Sequence, residues 1–289
     1  MIRENFFSII LPTYNRAHKI SKALNSVINQ SYQNWELIIV DNYSIDNTEE
    51  LINLYNNKKF SIYKINNNGV IAKSRNLGIE KSKGDYLCFL DSDDWWEPKK
   101  LELVNKSIND GYEFIYHDHN IVKTKGLIKK REFVSQKLTK PIFNDLILKG
   151  PSFATSSVSL SKKHFNEIGK FDESFNLIAW EDWDAWLRYS KKNEKFFHLN
   201  YVLSNITQDD ENYLNKDRQI KNLKCFKEKY MSGKIKYPNW YNYTLFVNYS
   251  KIRNFRDAKI LLSNINFFKL NFIQKIIIIL YSFKIYLNL

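Results

Sequence analysis

The stretch YLCFLDSDDWWEPKKLE, residues 86–102, decides how the chain is to be read. An apolar run from Leu87 to Leu90 stops at Asp91, and Asp93 and Asp94 follow at once. A short apolar run without polar alternation marks a strand buried on both faces. Three carboxylates at the mouth of such a strand raise one another's proton affinity unless they are spread into water or share a cation. Taken alone, they read equally well as an acidic turn capping the helix that begins near Pro98, because acids favour helix N-termini.

The same alternation extends outward. Residues 6–12, 35–41, 60–66, 85–91 and 112–122 read as strands. Between them, residues 17–31, 46–56, 71–83 and 98–110 carry helical patterns, the first with Ile20, Leu24, Val27 and Ile28 on one face. Asp46 with Glu49 three residues later reads as an N-cap and its capping-box partner. Strands alternating with helices predict an α/β fold, a mostly parallel central sheet flanked by helices. In such sheets ligands bind beyond the carboxyl ends of the strands. Those ends here carry Pro12-Thr13-Tyr14-Asn15-Arg16, Asp41-Asn42-Tyr43-Ser44, Asn66-Asn67-Asn68-Gly69 and Asp91-Ser92-Asp93-Asp94. Turn chemistry accounts for Asn and Gly at such places. It does not predict carboxylates at two of them. No G-x-G-x-x-G and no G-x-x-x-x-G-K-[ST] occurs, which argues against a dinucleotide site of the Rossmann type and against a P-loop.

Charge is unevenly placed. The net charge is +13, but from Tyr213 onward fifteen Lys/Arg stand against three Asp/Glu, a net of +12. The first 212 residues are thus close to neutral. The organisation expected is one domain over 1–211, in two parts of about 1–122 and 123–211, followed by a basic, aromatic-rich helical extension over 212–289. The extension reads either as a membrane-surface element or as a helical subdomain packed on the core or on a second subunit. The apolar segment nearest to a membrane span, 272–289, is interrupted by Lys275 and Lys284. No nucleic-acid-binding motif accompanies the charge, so no nucleic-acid partner is expected. Two cysteines, Cys88 and Cys225, lie outside any zinc or redox spacing and read as reduced thiols. With no signal-peptide pattern at the start, a cytoplasmic location is expected.

Five ordered segments carry a more specific message: SIILPTYNR (8–16), ELIIVDNYSIDNT (36–48), NNGVIAKSRNLGI (67–79), YLCFLDSDDWWEP (86–98) and EDWDAWL (181–187). Together, over roughly residues 6–205, they resemble the family 2 glycosyltransferases of the GT-A fold, in particular bacterial enzymes of O-antigen, capsule and lipooligosaccharide synthesis. The resemblance implies a UDP-sugar donor (glucose, galactose or an N-acetyl form) and Mn²⁺ or Mg²⁺ as cofactor. It matches Pro12, Thr13, Tyr14, Asn15, Arg16 and Asp41 to positions around the nucleoside, and Asn68, Gly69 and Arg75 to the donor-binding segment. Asp91, Ser92 and Asp93 match the D-x-D motif, with Asp93 the metal ligand and Asp91 facing ribose or metal. Asp182 matches the catalytic base. It further implies a saccharide or undecaprenyl-diphosphate-linked acceptor, a nucleotide-binding half at about 1–122 and an acceptor half at about 123–211 of a catalytic domain over 1–211, and peripheral contact of the extension with the anionic inner face of the bacterial plasma membrane. There are departures. The usual Asp-Asp-Gly-Ser is here Asp41-Asn42-Tyr43-Ser44, and the segment 201–213 lacks the His or Arg that many relatives carry there. The Q-x-x-R-W signature of processive synthases is absent, which favours transfer of one sugar.

The residues suit that chemistry. Breaking the anomeric C–O bond leaves negative charge on a departing UDP, and oxygen-ligated divalent cations stabilise such charge. An acceptor hydroxyl needs a general base, for which Asp182 is the candidate, with Glu181 orienting it or binding acceptor. Acids in a first helical turn also answer the helix dipole alone. Trp180, Trp183 and Ser156 are candidates for the acceptor side; tryptophans at a helix start equally serve as core or wall. His117 and His119, two apart on a strand, share a face and read as a strand edge near the acceptor cleft or a metal pair. The alternative to an enzyme is a catalytically impaired relative that binds nucleotide sugar or glycan.

Overall fold

The computed structural model describes residues 3–123, 130–208, 216–233 and 236–287. They form two compact units, residues 1–143 with 151–212, and residues 144–150 with 213–289. Residues 144–150 go with the second unit, which a single boundary at 211/212 does not express.

The first unit is built on one sheet. Its strands are β1 (Phe7–Thr13), β2 (Trp35–Asp41), β3 (Phe60–Lys64), β4 (Tyr86–Phe89), β5 (Trp95–Trp96), β6 (Phe114–Val122), β7 (Lys130–Phe133), β8 (Ser159–Ser161) and β9 (Phe196–Thr207). The spatial order is β3-β2-β1-β4-β8-β6-β9-β5, with β7 beside β6. The helices are α1 (Ile20–Ile28), α2 (Thr48–Leu54), α3 (Ile71–Lys81), α4 (Lys100–Asn109), the start of α5 (Ile142–Lys149), α6 (Lys162–Glu167) and α7 (Glu181–Lys192). β3, β2, β1 and β4 are mutually parallel, as the strand–helix alternation demands. Beyond β4 the sheet changes character: β8 runs antiparallel to both β4 and β6, and β9 is parallel to β6.

Every residue of β1 is buried, so its continuous apolar run sits at the centre of the parallel half. Leu11, Leu37, Ile39 and Leu90 share a core with Leu24 and Val27 of α1 and with Leu101 and Val104 of α4. On a second aromatic cluster, Phe89 meets Phe165, Phe171 and Trp186, with ring centroids 5.2–6.0 Å apart. That cluster seats α6 and α7 on the sheet and fixes where the first turn of α7 projects.

Asp46 is not the N-cap of α2. That place falls to Asn47, without a side-chain cap bond. Asp46 still serves the helix start from one residue earlier: Oδ1 accepts from the Thr48 amide at 3.1 Å, and Oδ2 accepts from the Ala17 amide at 3.1 Å, tying the start of α2 to the loop after β1. Glu49 reaches Lys64 rather than closing a capping box.

The second unit contains the rest of α5 with α8 (Lys216–Tyr230), α9 (Asn239–Lys251), α10 (Phe255–Leu262) and α11 (Phe272–Leu287). Trp240 Nε1 donates to the Ile147 carbonyl at 2.9 Å, which attaches α9 to α5. α9 and α10 are separate helices: Arg253 adopts a left-handed φ of 60° between them, and the Asn254 side chain caps α10 by accepting from the Asp257 amide. No described helix is long and apolar enough to cross a membrane.

Candidate active site

The loops after β1, β2, β3 and β4 open together on a cleft of about 560 Å³. Its floor and one wall come from Pro12, Thr13, Tyr14 and Arg16, with Asn42, Asn67 and Gly69 alongside. Asp91, Ser92, Asp93 and Asp94 enter from the end of β4. Arg75 of α3, Thr155 and the first turn of α7 with Glu181 and Asp182 complete it. The cleft thus gathers residues 12 and 182 of the chain because parallel strands deliver their carboxyl ends to one edge.

Two expected nucleoside residues act as supports. Asp41 is buried, and its carboxylate accepts from the Ser44 amide at 3.0 Å and from the Ser44 hydroxyl. Asn15 receives the Ile45 amide on Oδ1 and donates its own amide to Ser44 Oγ, both at 2.9 Å. The loops after β1 and β2 are thereby clipped to each other. In the loop after β3 the cleft is lined by Asn67 and Gly69 rather than Asn68. Asn67 is held by Asn42 Oδ1 on its amide at 2.8 Å, and its side chain donates to Ser74 at 2.8 Å. Sequence reasoning missed Asn67 because three consecutive asparagines look alike until the turn selects one.

The acidic turn is crowded and internally braced. Asp94 is the innermost: Oδ2 accepts from Ser156 Oγ at 2.6 Å and Oδ1 from the Thr207 amide at 2.8 Å. Burial, reinforced by Asp91 and Asp93, holds its carboxyl well above the usual range. Burial and the Asp91 charge also raise Asp93, with Arg16 opposing; the Arg16 guanidinium approaches Asp93 to 3.9 Å. Ser156, expected on the acceptor side, is buried beneath this turn. It donates to Asp94, accepts from the Asp91 amide at 3.1 Å, and its carbonyl receives both Trp96 Nε1 and Lys100 Nζ at 2.9 Å. Its neighbour Thr155 lines the cleft instead. Lys100 is fully buried over the Trp96 ring at 3.5 Å, and burial depresses it to about 7.

Arg75 links the donor side to α7. It is 3% exposed, with Nη2 donating to Asp91 at 2.7 Å and Nη1 to Glu181 at 2.6 Å. Burial works against its charge, but the two carboxylates outweigh burial and raise its pKa. Glu181 is pushed up to about 7 by burial, with Arg75 opposing and Asp182 adding. Asp182 accepts from Thr155 Oγ1 on Oδ2 at 2.6 Å, so a hydroxyl fixes that carboxylate at the cleft wall. Asp184, two residues on, pairs with Arg188 Nε at 2.7 Å. Ala179, just ahead of α7, holds a left-handed φ of 63° and lines the cleft, a conformation that costs a non-glycine residue about 1 kcal/mol or more.

The aromatic and histidine candidates are placed differently. Trp183 is 3% exposed and packs on Phe153 at 6.4 Å, so its ring is core and not a sugar platform. Trp180 is half-buried ahead of α7 and is not among the cleft-lining residues. His117 and His119 are both buried, and the ladder slips at His117–Asp118–His119, so a simple two-residue alternation does not describe them. His119 stacks on Phe133 at 4.7 Å, while Asp118 receives His198 Nε2 at 2.7 Å. Among the described residues no three His, Cys, Asp or Glu side chains converge to hold a metal by themselves. A cation at the acidic turn would therefore draw on substrate oxygens as well. All-oxygen donors and mutually repelling carboxylates fit Mg²⁺ or Mn²⁺. Part of the segment after β9, residues 209–215, lies outside the described residues, so the missing His or Arg of 201–213 cannot be followed there.

Comparison with known proteins agrees with this architecture. The chain is 32% identical over 188 residues to the Escherichia coli UDP-Glc:alpha-D-GlcNAc-diphosphoundecaprenol beta-1,3-glucosyltransferase WfgD, covering 64% of this chain and 70% of that protein. It is 32% identical over 212 residues to the Erwinia amylovora amylovoran biosynthesis glycosyltransferase AmsB, covering 69% and 68%. Among solved structures, S. aureus TarS 1-349 in complex with UDP-GlcNAc superposes with a TM-score of 0.64 at 18% identity, covering 94% of this chain and 78% of that one. The longer S. aureus TarS chain is spanned over 43% of its length. A Pyrobaculum calidifontis mannosyltransferase in complex with GDP-Man and Mn²⁺ superposes with a TM-score of 0.58 at 14% identity, covering 91% and 74%. These likenesses establish the GT-A fold. Residues 8–169 match glycosyl transferase family 2, and with that match, over more than half its length, the chain belongs to this family of glycosyltransferases.

Proposed function

We propose that the protein transfers one sugar from a UDP-sugar to a saccharide acceptor carried on an undecaprenyl-type diphospholipid, with inversion at the anomeric carbon, in bacterial surface-polysaccharide synthesis. The observation that carries this reading is that Asp182, braced by Thr155, opens on the same cleft as Asp91 and Asp93. One end of the cleft offers a base and the other a carboxylate pair suited to a metal diphosphate. The E. coli relative, whose name specifies UDP-Glc and a GlcNAc-diphosphoundecaprenol, supports the donor and acceptor classes.

In this reading Pro12, Thr13, Tyr14 and Arg16 receive the nucleoside, and Asn15 and Asp41 hold their loop in place. Asp93, with Asp91, holds the divalent cation. When bound, Mn²⁺ or Mg²⁺ supplies Lewis-acid stabilisation of charge on the departing diphosphate. Arg75 keeps Asp91 aimed and, through Glu181, keeps the first turn of α7 in register with the donor. Asp182 takes the proton of the acceptor hydroxyl as that oxygen attacks the anomeric carbon. A single displacement of this kind turns an α-linked donor sugar into a β-linked product.

Calorimetry of UDP, GDP, CMP and dTDP, with and without Mn²⁺, tests the donor side. UDP binding that needs Mn²⁺ and is lost in Asp93→Ala is expected. Nucleotide binding that is indifferent to both the metal and Asp93 would remove the metal-site assignment. No binding of any nucleotide would favour a non-catalytic descendant.

A further inference from the structure

The second unit carries a surface that the transfer chemistry does not use. Phe272, Ile273, Ile276, Ile279, Leu280 and Phe283 are each at least 40% exposed. At 3.6 residues per turn they form one continuous stripe along α11. Lys275 and Lys284 fall on opposite flanks of that stripe. Lysine heads lie over aromatic rings around it: Lys259 over Tyr286 at 5.2 Å, Lys275 over Phe267 at 5.6 Å and Lys284 over Tyr281 at 5.9 Å. An apolar helical face with snorkelling lysines at its edges is suited to the boundary between headgroups and acyl chains.

Beside it lies a basic hollow of about 390 Å³, formed by Ser250, Lys251, Arg253, Phe255, Tyr281 and Lys284. Three cations and two hydroxyls face it without a carboxylate. None of the three cations is in a salt bridge with a carboxylate among the described residues. Arg253 takes its place through the left-handed φ of 60° that separates α9 from α10. Tyr281 and Lys284 belong both to this hollow and to α11, so hollow and stripe are parts of one surface.

We infer that this surface docks on an anionic lipid bilayer, with the α11 stripe in the interface and a lipid phosphate in the Lys251–Arg253–Lys284 hollow. Charge selects this occupant. Residues 250–287 contain seven Lys/Arg and one Asp, so two copies meeting face to face would bring like charges together, whereas anionic headgroups would neutralise them. No described helix is long and apolar enough to cross a membrane, and the one-sided stripe on α11 suits a helix lying in the plane of the interface. The inference gives a location to the lipid-linked acceptor proposed above but does not rest on the donor or metal assignments.

The test is co-sedimentation of the full chain with phosphatidylcholine vesicles, with and without phosphatidylglycerol, and UDP binding measured in parallel. The wild type is expected to bind the phosphatidylglycerol vesicles, less as salt rises. The exposed double substitution Ile279→Asp/Phe283→Asp is expected to lose that binding while UDP binding and thermal unfolding stay as in the wild type. Lys251→Gln/Arg253→Gln is expected to weaken it roughly thirtyfold, at about 1 kcal/mol per cation. Loss in the first variant alone would overturn the phosphate hollow. Equal binding by all three proteins, no vesicle binding at all, or a wild-type dimer dispersed by Ile279→Asp/Phe283→Asp would overturn the docking surface. Failure of UDP binding with vesicle binding intact would count against the proposed transfer reaction only.

Discussion

Glu181→Gln separates what the first turn of α7 does for folding from what it does for chemistry. Glu181 is 4% exposed and is held from 4.5 up to about 7, chiefly by burial, with Asp182 adding and Arg75 opposing. At about 1.4 kcal/mol per pH unit, this displacement corresponds to roughly 3 kcal/mol of stability. The sign follows from proton counting. Between about 4.5 and 7 the folded protein holds a proton on Glu181 that the unfolded chain has released, so stability falls as pH rises through that window. The amide cannot titrate and keeps an oxygen for Arg75 Nη1. Urea unfolding of both proteins at pH 5, 6, 7 and 8 is the assay. The variant is expected to be near the wild type at pH 5 and more stable by about 3 kcal/mol at pH 8. Turnover is expected to fall all the same, because Arg75 then has one carboxylate partner, Asp91, in place of two. A stability difference that does not change with pH would refute the reasoning, and so would a variant that loses stability relative to wild type as pH rises.

Three further substitutions have definite expected outcomes. Asp182→Asn is expected to lower kcat by at least about a hundredfold with UDP affinity retained, and Thr155→Val, which removes the hydroxyl on Asp182, by about tenfold; rapid-quench turnover beside UDP calorimetry distinguishes lost chemistry from lost binding. Tyr43, 57% exposed, sits at a φ of 55°, where a side chain costs about 1–2 kcal/mol; Tyr43→Gly is expected to gain up to about 1 kcal/mol after the added freedom of the unfolded chain is counted, and a lower melting temperature would mean that the ring's contacts outweigh the strain.

Much of the parallel half of the sheet was legible in the chain, because a strand buried on both faces reads as a near-continuous apolar run, as Ile9–Leu11 of β1, Leu37–Val40 of β2 and Leu87–Phe89 of β4 do. The acidic turn, the Arg75 segment and the first turn of α7 were legible for a related reason: ionisable groups at strand ends and helix starts have few structural duties that would demand them in that order. Local pattern did not carry the second half of the sheet. β8 has three residues and β5 two, too short for any period, and their pairing with β4 and β9 is set by tertiary packing.

The division of labour within the site was likewise a tertiary matter. Asp91, Asp93 and Asp94 are alike in sequence, and only the Ser156 hydroxyl and Thr207 amide beneath the turn make Asp94 a brace. Ser156 and Thr155 are adjacent, yet one faces the core and the other Asp182. Trp183 has the chemistry of a sugar platform and the position of a core residue. By itself the sequence determined the strand–helix order, the edge of the sheet where polar groups collect and the chemical class of those groups. The tertiary structure decided which of them meet, because hydrogen bonds and burial depend on residues brought together from distant parts of the chain, Arg75 with Asp91 and Glu181 above all.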